Sequence, residues 1–247
     1  MENKLTHFDD KGNAVMVDVS DKNITAREAV AKGKIYVNNA VMYAVINGTV
    51  KKGDVLQVNG IKGIVFSVNE DGTHGQMMSV KAFRGKQDLY CVKSSFLKGV
   101  SMLDENDGKA NTNELFAYAS AKGVSLANYP VYNWCKSLGD GWYIPSINQI
   151  KAFVNYWLGN TDLEVDWEED EEVSATDNSI PHTKVVNNIL LEAGGIPFLN
   201  GVFTSTLDAS KKVDVFEYNK DDGKWKFNKV NPMKIDAFCV GRAFYDF

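Results

Sequence analysis

The chain has 247 residues and a formal net charge of −5, with 44% hydrophobic and 11% aromatic residues. This length and apolar content are sufficient for one large domain, or for one domain with a small attachment. The acidic balance argues against general affinity for nucleic acid, because neutralising phosphates requires a basic surface.

Cysteines and histidines are few and widely separated along the chain (Cys91, Cys135, Cys239; His7, His74, His182). Three cysteines do not make a disulfide scaffold, and three reduced thiols are expected. Since Cys-x-x-Cys and His-Glu-x-x-His patterns are lacking, we expect no zinc site, no other metal and no cofactor.

No apolar run reaches transmembrane length, so membrane insertion is not expected. The segment Met1–Leu5 does not resemble the start of a signal peptide. The pattern is that of a cytoplasmic protein, or of an exported one whose signal is not part of this sequence.

The first part of the chain predicts a small ββα module over residues 1–52. Ala14–Val19 and Lys34–Val37 are strand-like, and Asn38–Ile46 places Val41, Met42 and Val45 on one helical face. A charged turn around Lys52 closes the module.

Three strands are predicted next, at Val55–Val58, Gly63–Val68 and Gln76–Val80. Asn59-Gly60 and Asp71-Gly72 are dipeptides typical of hairpin turns, so the strands are expected to pair antiparallel.

Helices dominate the middle of the chain. Thr112–Ala121 predicts one helix capped by Thr112 or Asn113, and Pro130 suits the first turn of a second. Ser146 with Gln149 forms a capping-box pattern for a third helix, and the apolar positions that follow are Ile150, Phe153, Val154 and Trp157.

The segment Asp162–Glu172 carries carboxylates and no basic residue. A cation site and a solvated surface loop both account for such a run. We favour the loop, because calcium loops alternate their ligands with spacers and include glycine.

A fourth helix is predicted to start at Ser179 or Thr183 and to stop at Gly194-Gly195. Four strands follow, at Val202–Thr206, Val213–Tyr218, Lys224–Val230 and Ala237–Phe244. Helices between early and late strands indicate an α+β fold with a mixed or antiparallel sheet.

Short motifs in residues 53–247 resemble, in their order, the bacterial C-type-lectin-like domains of Lcl-type adhesins, of the Fibrobacter major paralogous domain and of Bacteroides-like surface proteins. The matching pieces are Gly63–Gly75, Tyr129–Cys135, Gly141–Ser146, Val186–Asn188, Gly194-Gly195, Val202–Thr206 and Val240–Phe244. The resemblance implies a C-type-lectin-like mixed α/β domain with an antiparallel sheet, and a location at the cell surface or outside the cell. It also implies a non-enzymatic binding or adhesion module with a loop-rich face for a carbohydrate or protein ligand.

Aromatic and amide side chains dominate such binding surfaces, so the late hairpin supplies the candidate ligand contacts. They are Tyr218, Asn219, Asp222, Trp225, Phe227 and Asn228. The alternative for Trp225 and Phe227 is that both face the core, since strand alternation puts them on one side. The calcium-binding triplets Glu-Pro-Asn and Trp-Asn-Asp of the wider lectin superfamily do not occur.

A second resemblance covers residues 5–64. The segments Leu5–Asp9, Met16–Lys22, Arg27–Ala29 and Lys52–Leu56 resemble the start of the cyclic pyranopterin monophosphate synthase (MoaC) family of molybdenum-cofactor synthesis. The resemblance places Lys52 on the active-site lysine of that family and implies a helix after it. The strand pattern of Ile61–Val68 favours a hairpin in the same place.

Three functions follow from these patterns. The first, which we favour, is the non-enzymatic binding module, with the N-terminal module as a site of homo-oligomer formation. The second is a display scaffold for a surface diversified by a retroelement. The third is an enzyme of molybdenum-cofactor synthesis. Against it, the family's Cys-His-Pro-Leu segment is lacking, and a multi-step ring rearrangement needs several acid–base groups.

Overall fold

The computed structural model describes residues 42, 48–84, 90–159, 181–198, 201–219, 224–234 and 239–247, without the side chains of 181, 218, 219, 224, 225 and 234. The chain forms two compact units, residues 1–36 and 37–247, and the described residues belong to the second. The predicted strands of the N-terminal module, nearly all of its helix and the acidic run lie outside the described residues. Met42 is helical and 47% exposed.

The larger sheet joins the beginning of the second unit to the end of the chain. Its strands are β1 (Val55–Val58), β2 (Ile61–Val68), β3 (Gly75–Ser79), β4 (Trp142–Tyr143) and β8 (Phe244–Asp246). They lie in the order β1-β2-β3-β8-β4, and every neighbouring pair is antiparallel. The C-terminal strand therefore pairs directly with β3, and the two lie far apart in sequence.

The β1–β2 hairpin decides between the helix and the strands predicted after Lys52. Val55 pairs with Ile64 and Val58 with Ile61. Asn59 (φ 53°) and Gly60 (φ 80°) both adopt the left-handed conformation that a tight hairpin turn requires. The strand prediction is confirmed, and the helix implied by the second resemblance is wrong for residues 55–68.

A smaller sheet holds the late strands. It consists of β5 (Val202–Leu207), β6 (Val213–Asn219) and β7 (Lys224–Val230), in that order and antiparallel. These three strands confirm the predicted ones. The turn residues 220–223 lie outside the described residues.

Four α-helices stand between the early and late strands of the described part. They are α1 (Gly108–Lys122), α2 (Pro130–Ser137), α3 (Ile147–Leu158) and α4 (Pro181–Glu192). Pro130 is the first residue of α2, and Ser146 and Gln149 form the predicted capping box of α3.

Two local predictions are wrong, and one strand was not predicted. The first helix begins earlier, because Asp107 rather than Thr112 or Asn113 caps it and accepts a hydrogen bond from the Ala110 N–H at 2.8 Å. Strand β4 was missed because two residues are too few to show alternation. The final strand starts only at Phe244, since Val240 and Gly241 form isolated bridges to Val202 and Phe83.

The fold is thus mixed α/β with antiparallel sheets, built on two apolar clusters. One collects side chains around α2 and the inner faces of both sheets, among them Val50, Tyr132, Cys135 and Phe203. The other lies between the larger sheet and α3 and contains Phe66, Phe153 and Phe244. Val50 is only 2% exposed, so the core begins before Gly53; the domain boundary between Lys52 and Gly53 stays a prediction.

Candidate functional site

The turn formed by residues 51–54, the Lys52 turn, leads into β1 and is shaped by its own backbone bonds. The Lys51 N–H donates to Asp54 Oδ2 at 2.8 Å, and the Asp54 N–H donates to the Lys51 carbonyl at 3.1 Å. Gly53 has φ +94°, a conformation that side chains rarely adopt, and its N–H donates to the Val65 carbonyl at 2.8 Å. The turn is therefore tied to β2 through backbone alone.

Lys52 is exposed at the tip of this turn, and no described residue bonds to its ammonium group. Asp54 is half-buried, and one of its carboxylate oxygens accepts the Lys51 N–H. A free ammonium and a carboxylate thus stand on adjoining parts of one short turn. Both are groups that bind ligands and exchange protons.

Helices α3 and α4 lie against the back of the Lys52 turn. A Cβ added at Gly53 would lie 3.5 Å from the Tyr156 hydroxyl oxygen and 3.8 Å from Ile189 Cδ1. The Tyr156 ring stands perpendicular to that of His182, with centroids 5.3 Å apart. Burial, with a smaller contribution from the Asp54 carboxylate, raises the pKa of Tyr156 to about 12.

Tyr156 and His182 were not singled out from the sequence. Tyr156 adjoins the apolar stripe of α3, where an aromatic residue indicates core packing. His182 follows the acidic segment and shows no metal-ligand spacing. The only signal was that His182 is one of three histidines in the chain.

The late hairpin holds the six predicted ligand contacts. Phe227 is half-buried and packs on Phe216 with ring centroids 4.9 Å apart, which accords with the alternative that it faces the core. The Asn228 side chain donates to Glu217 Oε1 at 2.7 Å, so its amide is engaged within the sheet. Tyr218, Asn219 and Trp225 lie on paired strands with side chains outside the described residues, and Asp222 lies outside them altogether.

Among the described residues, Arg242 is the largest fully buried side chain, and it is 0% exposed. Its Nη1 donates to the carbonyls of Ser79 and Val80 at 3.1 and 2.9 Å, and its Nη2 to those of Ile196 and Pro197 at 2.9 and 3.2 Å. Burial lowers the pKa of Arg242 to about 9. The guanidinium thus ties the end of β3 to the segment after α4, a structural task.

Two further sets of hydrogen-bonded polar side chains include buried tyrosines. The Tyr132 hydroxyl donates to that of Tyr90 at 2.8 Å, and Tyr90 donates to the Ser205 carbonyl at 3.2 Å. The Tyr143 hydroxyl donates to Asp246 at 2.5 Å and accepts the Gln149 side chain at 3.0 Å. Burial raises the pKa of Tyr90 and Tyr143, so both phenols stay protonated and act as structural hydrogen-bond donors.

The described residues contain no cluster of three potential metal ligands. All three cysteines are buried, and none is joined in a disulfide. Burial raises the pKa of Cys135 to about 12, so this thiol is not an activated nucleophile. Among the described residues, no helix combines the length and apolar character needed to cross a bilayer.

The part of the chain around the Lys52 turn is similar to known proteins of one family. The model of the MoaC family matches residues 16–69. A cyclic pyranopterin monophosphate synthase of Clostridium botulinum is 57% identical over 65 residues, which is 26% of this chain and 41% of that protein.

Longer alignments are found with other synthases of the same name. That of Clostridium perfringens is 33% identical over 164 residues, covering 61% of this chain and 93% of the relative. That of Halalkalibacterium halodurans is 30% identical over 142 residues, covering 57% and 84%. The chain thus spans less than half of the first relative and most of the other two. No solved structure matches the chain.

These comparisons correct the function expected from the first resemblance. The predicted non-enzymatic binding or adhesion role, and with it a bacterial surface protein of the adhesin type, is wrong, because the relatives are named as synthases. For the same reason the expected carbohydrate or protein ligand is wrong, and the display scaffold gains no support. The third function, set last from the sequence, is the one that the comparisons favour.

Nothing in the comparisons indicates a C-type-lectin-like domain, whereas the second resemblance is confirmed over residues 16–69. The matched segment includes the whole Lys52 turn and the β1–β2 hairpin. With a relative that is 33% identical and aligned over 93% of its length, the chain belongs to the MoaC family.

Proposed function

We propose that the chain takes part in forming cyclic pyranopterin monophosphate, the product for which its relatives are named, with Lys52 as a proton-exchanging residue. The observation that carries the proposal is the match of residues 16–69 to the MoaC family, which contains the Lys52 turn. Identity of 57% over 65 residues to one named synthase supports it.

The local geometry suits a lysine that acts on a ligand. The backbone of the turn is fixed by bonds at Lys51, Gly53 and Asp54, so the base of the Lys52 side chain is held in place. Its ammonium is exposed and has no bonding partner among the described residues, so it remains available. A positioned group of this kind contributes roughly 10²- to 10⁴-fold to a proton-transfer step.

An activity assay tests this proposal. Purified full-length protein is added to an extract of a bacterial strain that lacks its own cyclic pyranopterin monophosphate synthase, and the product is measured by its oxidised fluorescent derivative. Wild-type protein is expected to form the product, and Lys52→Ala to form it at least about 100-fold more slowly. The matched control is Lys62→Ala, at an exposed lysine of β2 within the same matched segment, which should retain the wild-type rate.

For residues 53–247 we propose a C-type-lectin-like fold. Supporting it are the pairing of the C-terminal β8 with the early β3, and the separate sheet of late strands after the helices. The ordered motifs from Gly63 to Phe244 support it further. An experimental structure that superimposes on no lectin-like domain would refute this fold assignment and leave the proposed activity untouched.

A further inference from the structure

We propose that Tyr156 and His182 join Lys52 and Asp54 in one ligand-binding corner, suited to a compound that carries a phosphate and a pterin-like ring. This inference rests on the proposed function and deepens it. Two of the four residues lie in the segment matched by the family, and the other two are contributed by α3 and α4.

Tyr156 directs its hydroxyl group at the Lys52 turn. Its ring belongs to the apolar cluster between α3 and the larger sheet, and the residue is 9% exposed. The hydroxyl oxygen nevertheless reaches the backbone of Gly53, where an added Cβ would lie 3.5 Å away. No described residue hydrogen-bonds to this hydroxyl, so it can both donate to and accept from a ligand.

His182 is held in a fixed orientation beside Tyr156. Its Cβ packs on the end of α3, since a Cβ added at Gly159 would lie 2.9 Å from it. Its Nδ1 lies 3.4 Å from the Trp157 carbonyl oxygen, and an Nδ1–H that donates there leaves Nε2 as the free ring nitrogen. The imidazole is half-buried and packs edge-on against the Tyr156 ring.

The charges around this corner suit an anionic ligand with an aromatic ring. Lys51 and Lys52 are both exposed, and their ammonium groups attract phosphate oxygens as mobile point charges. Asp54, whose carboxylate is anchored by the Lys51 N–H, offers an acceptor for ring N–H groups. Tyr156 adds a phenol next to the Lys52 turn, and His182 adds an imidazole that packs on the Tyr156 ring. Four kinds of titratable group thus belong to the turn and to the two side chains stacked behind it.

These side chains also provide acid–base groups that the sequence motif around Lys52 does not contain. One lysine does not suffice for a rearrangement with several proton transfers. Tyr156 and His182 supply two further acid–base groups from a part of the chain that the family model does not match. The site is therefore completed by α3 and α4 of this chain.

Imidazole NMR spectra of the full-length protein test the corner, with guanosine 5′-monophosphate as the probe because it carries a bicyclic ring and a phosphate. The chain has only three histidines, so His182→Gln assigns the His182 signals by difference. We expect saturable shifts of the His182 signals that exceed those of His74, which lies in the exposed β2–β3 turn that bonds to Val50 beside the Lys52 turn.

Variants then show which side chains contribute to binding of the probe. Lys52→Ala and Tyr156→Phe are each expected to weaken binding about fivefold, since one hydrogen bond contributes about that factor. The matched control is Tyr118→Phe, at a half-buried tyrosine on α1, which should bind the probe as the wild type does. Near-ultraviolet circular dichroism verifies that each variant keeps the native fold.

The outcomes separate this inference from the proposed function. If the wild type forms product while the His182 signals do not move, the function stands and the corner is not its site. Equal affinities of Tyr156→Phe and wild type would likewise overturn the inference. If the probe binds as expected and no product forms, the corner stands as a binding site and the proposed activity fails.

Discussion

Two cations, Lys52 and Arg242, show how one chain uses positive charge in opposite ways. Lys52 is exposed on a turn whose backbone is hydrogen-bonded, and none of the described residues bonds to its ammonium group. Arg242 is 0% exposed, and four carbonyl oxygens occupy its two terminal nitrogens. Arg242 is used up in holding the fold together, whereas the Lys52 ammonium, which no described residue engages, is available to a ligand.

The largest effect on stability is expected at Arg242. Replacing it by methionine keeps apolar bulk and removes the guanidinium donor from all four carbonyls. The Val80 carbonyl keeps the Ile196 N–H as a donor, at 3.2 Å. Each buried unsatisfied carbonyl costs about 1–3 kcal/mol. We expect the free energy of unfolding to fall by at least about 3 kcal/mol, measured by urea denaturation. Arg84→Met, at an exposed arginine, should change it by less than about 0.5 kcal/mol; a similarly small loss at Arg242 would break the comparison.

A buried anion extends the comparison to the smaller sheet. Asp214 is 5% exposed, and burial raises its pKa to about 6, with Lys229 opposing that shift. Because the pKa of Asp214 is raised in the folded state, this carboxyl favours folding most at pH values below the ordinary aspartate pKa of 3.8. Its contribution to the free energy of unfolding falls as the pH rises through about 6.

Asp214→Asn should remove that loss. The variant is expected to match the wild type near pH 4 and to exceed its free energy of unfolding by up to about 3 kcal/mol near pH 7.5. Urea denaturation across this range measures the difference. A constant difference between the two proteins at all pH values would contradict the assignment.

Gly53→Ala sharpens the claim that backbone positions the Lys52 turn. The added Cβ meets no atom closer than 3.5 Å, so the cost arises from the positive φ. A left-handed conformation costs a non-glycine residue about 1–2 kcal/mol. The matched change is Gly123→Ala, because Gly123 also has positive φ and lies in open space at the end of α1. Similar losses of stability, with activity lost only at Gly53, would agree with the account.

The smallest effect on stability is expected at Lys52. Since its ammonium has no bonding partner among the described residues, Lys52→Met should change the free energy of unfolding by less than about 0.5 kcal/mol. A loss of more than about 1 kcal/mol would show that Lys52, like Arg242, is engaged in the fold.

Local sequence signals predicted the elements that carry their own start or turn residues. Pro130, the Ser146 capping box and the Asn59-Gly60 turn each determine nearby backbone through short-range sterics or hydrogen bonds. The two residues of β4 form a strand only because they pair with β8, which is distant in sequence. No local sequence pattern predicts such a strand.

Only some of the candidate site residues could be predicted from the sequence. Lys52 was found because a contiguous family motif surrounds it. Tyr156 reaches the same turn, and His182 reaches Tyr156, only through the packing of α3 and α4. Their local patterns indicate core and helix start. Function was misjudged for a related reason: motifs spread over most of the chain were given more weight than one short, dense match.

Complementation in cells measures whether the chain forms cyclic pyranopterin monophosphate and whether it needs Lys52 to do so. A bacterial strain that lacks its own cyclic pyranopterin monophosphate synthase is given the full-length chain, and the activity of a molybdenum-dependent enzyme is measured in its cells. We expect the wild type to restore this activity and Lys52→Ala, expressed at the same level, to leave it absent. Restoration by neither protein, or equally by both, would contradict this expectation.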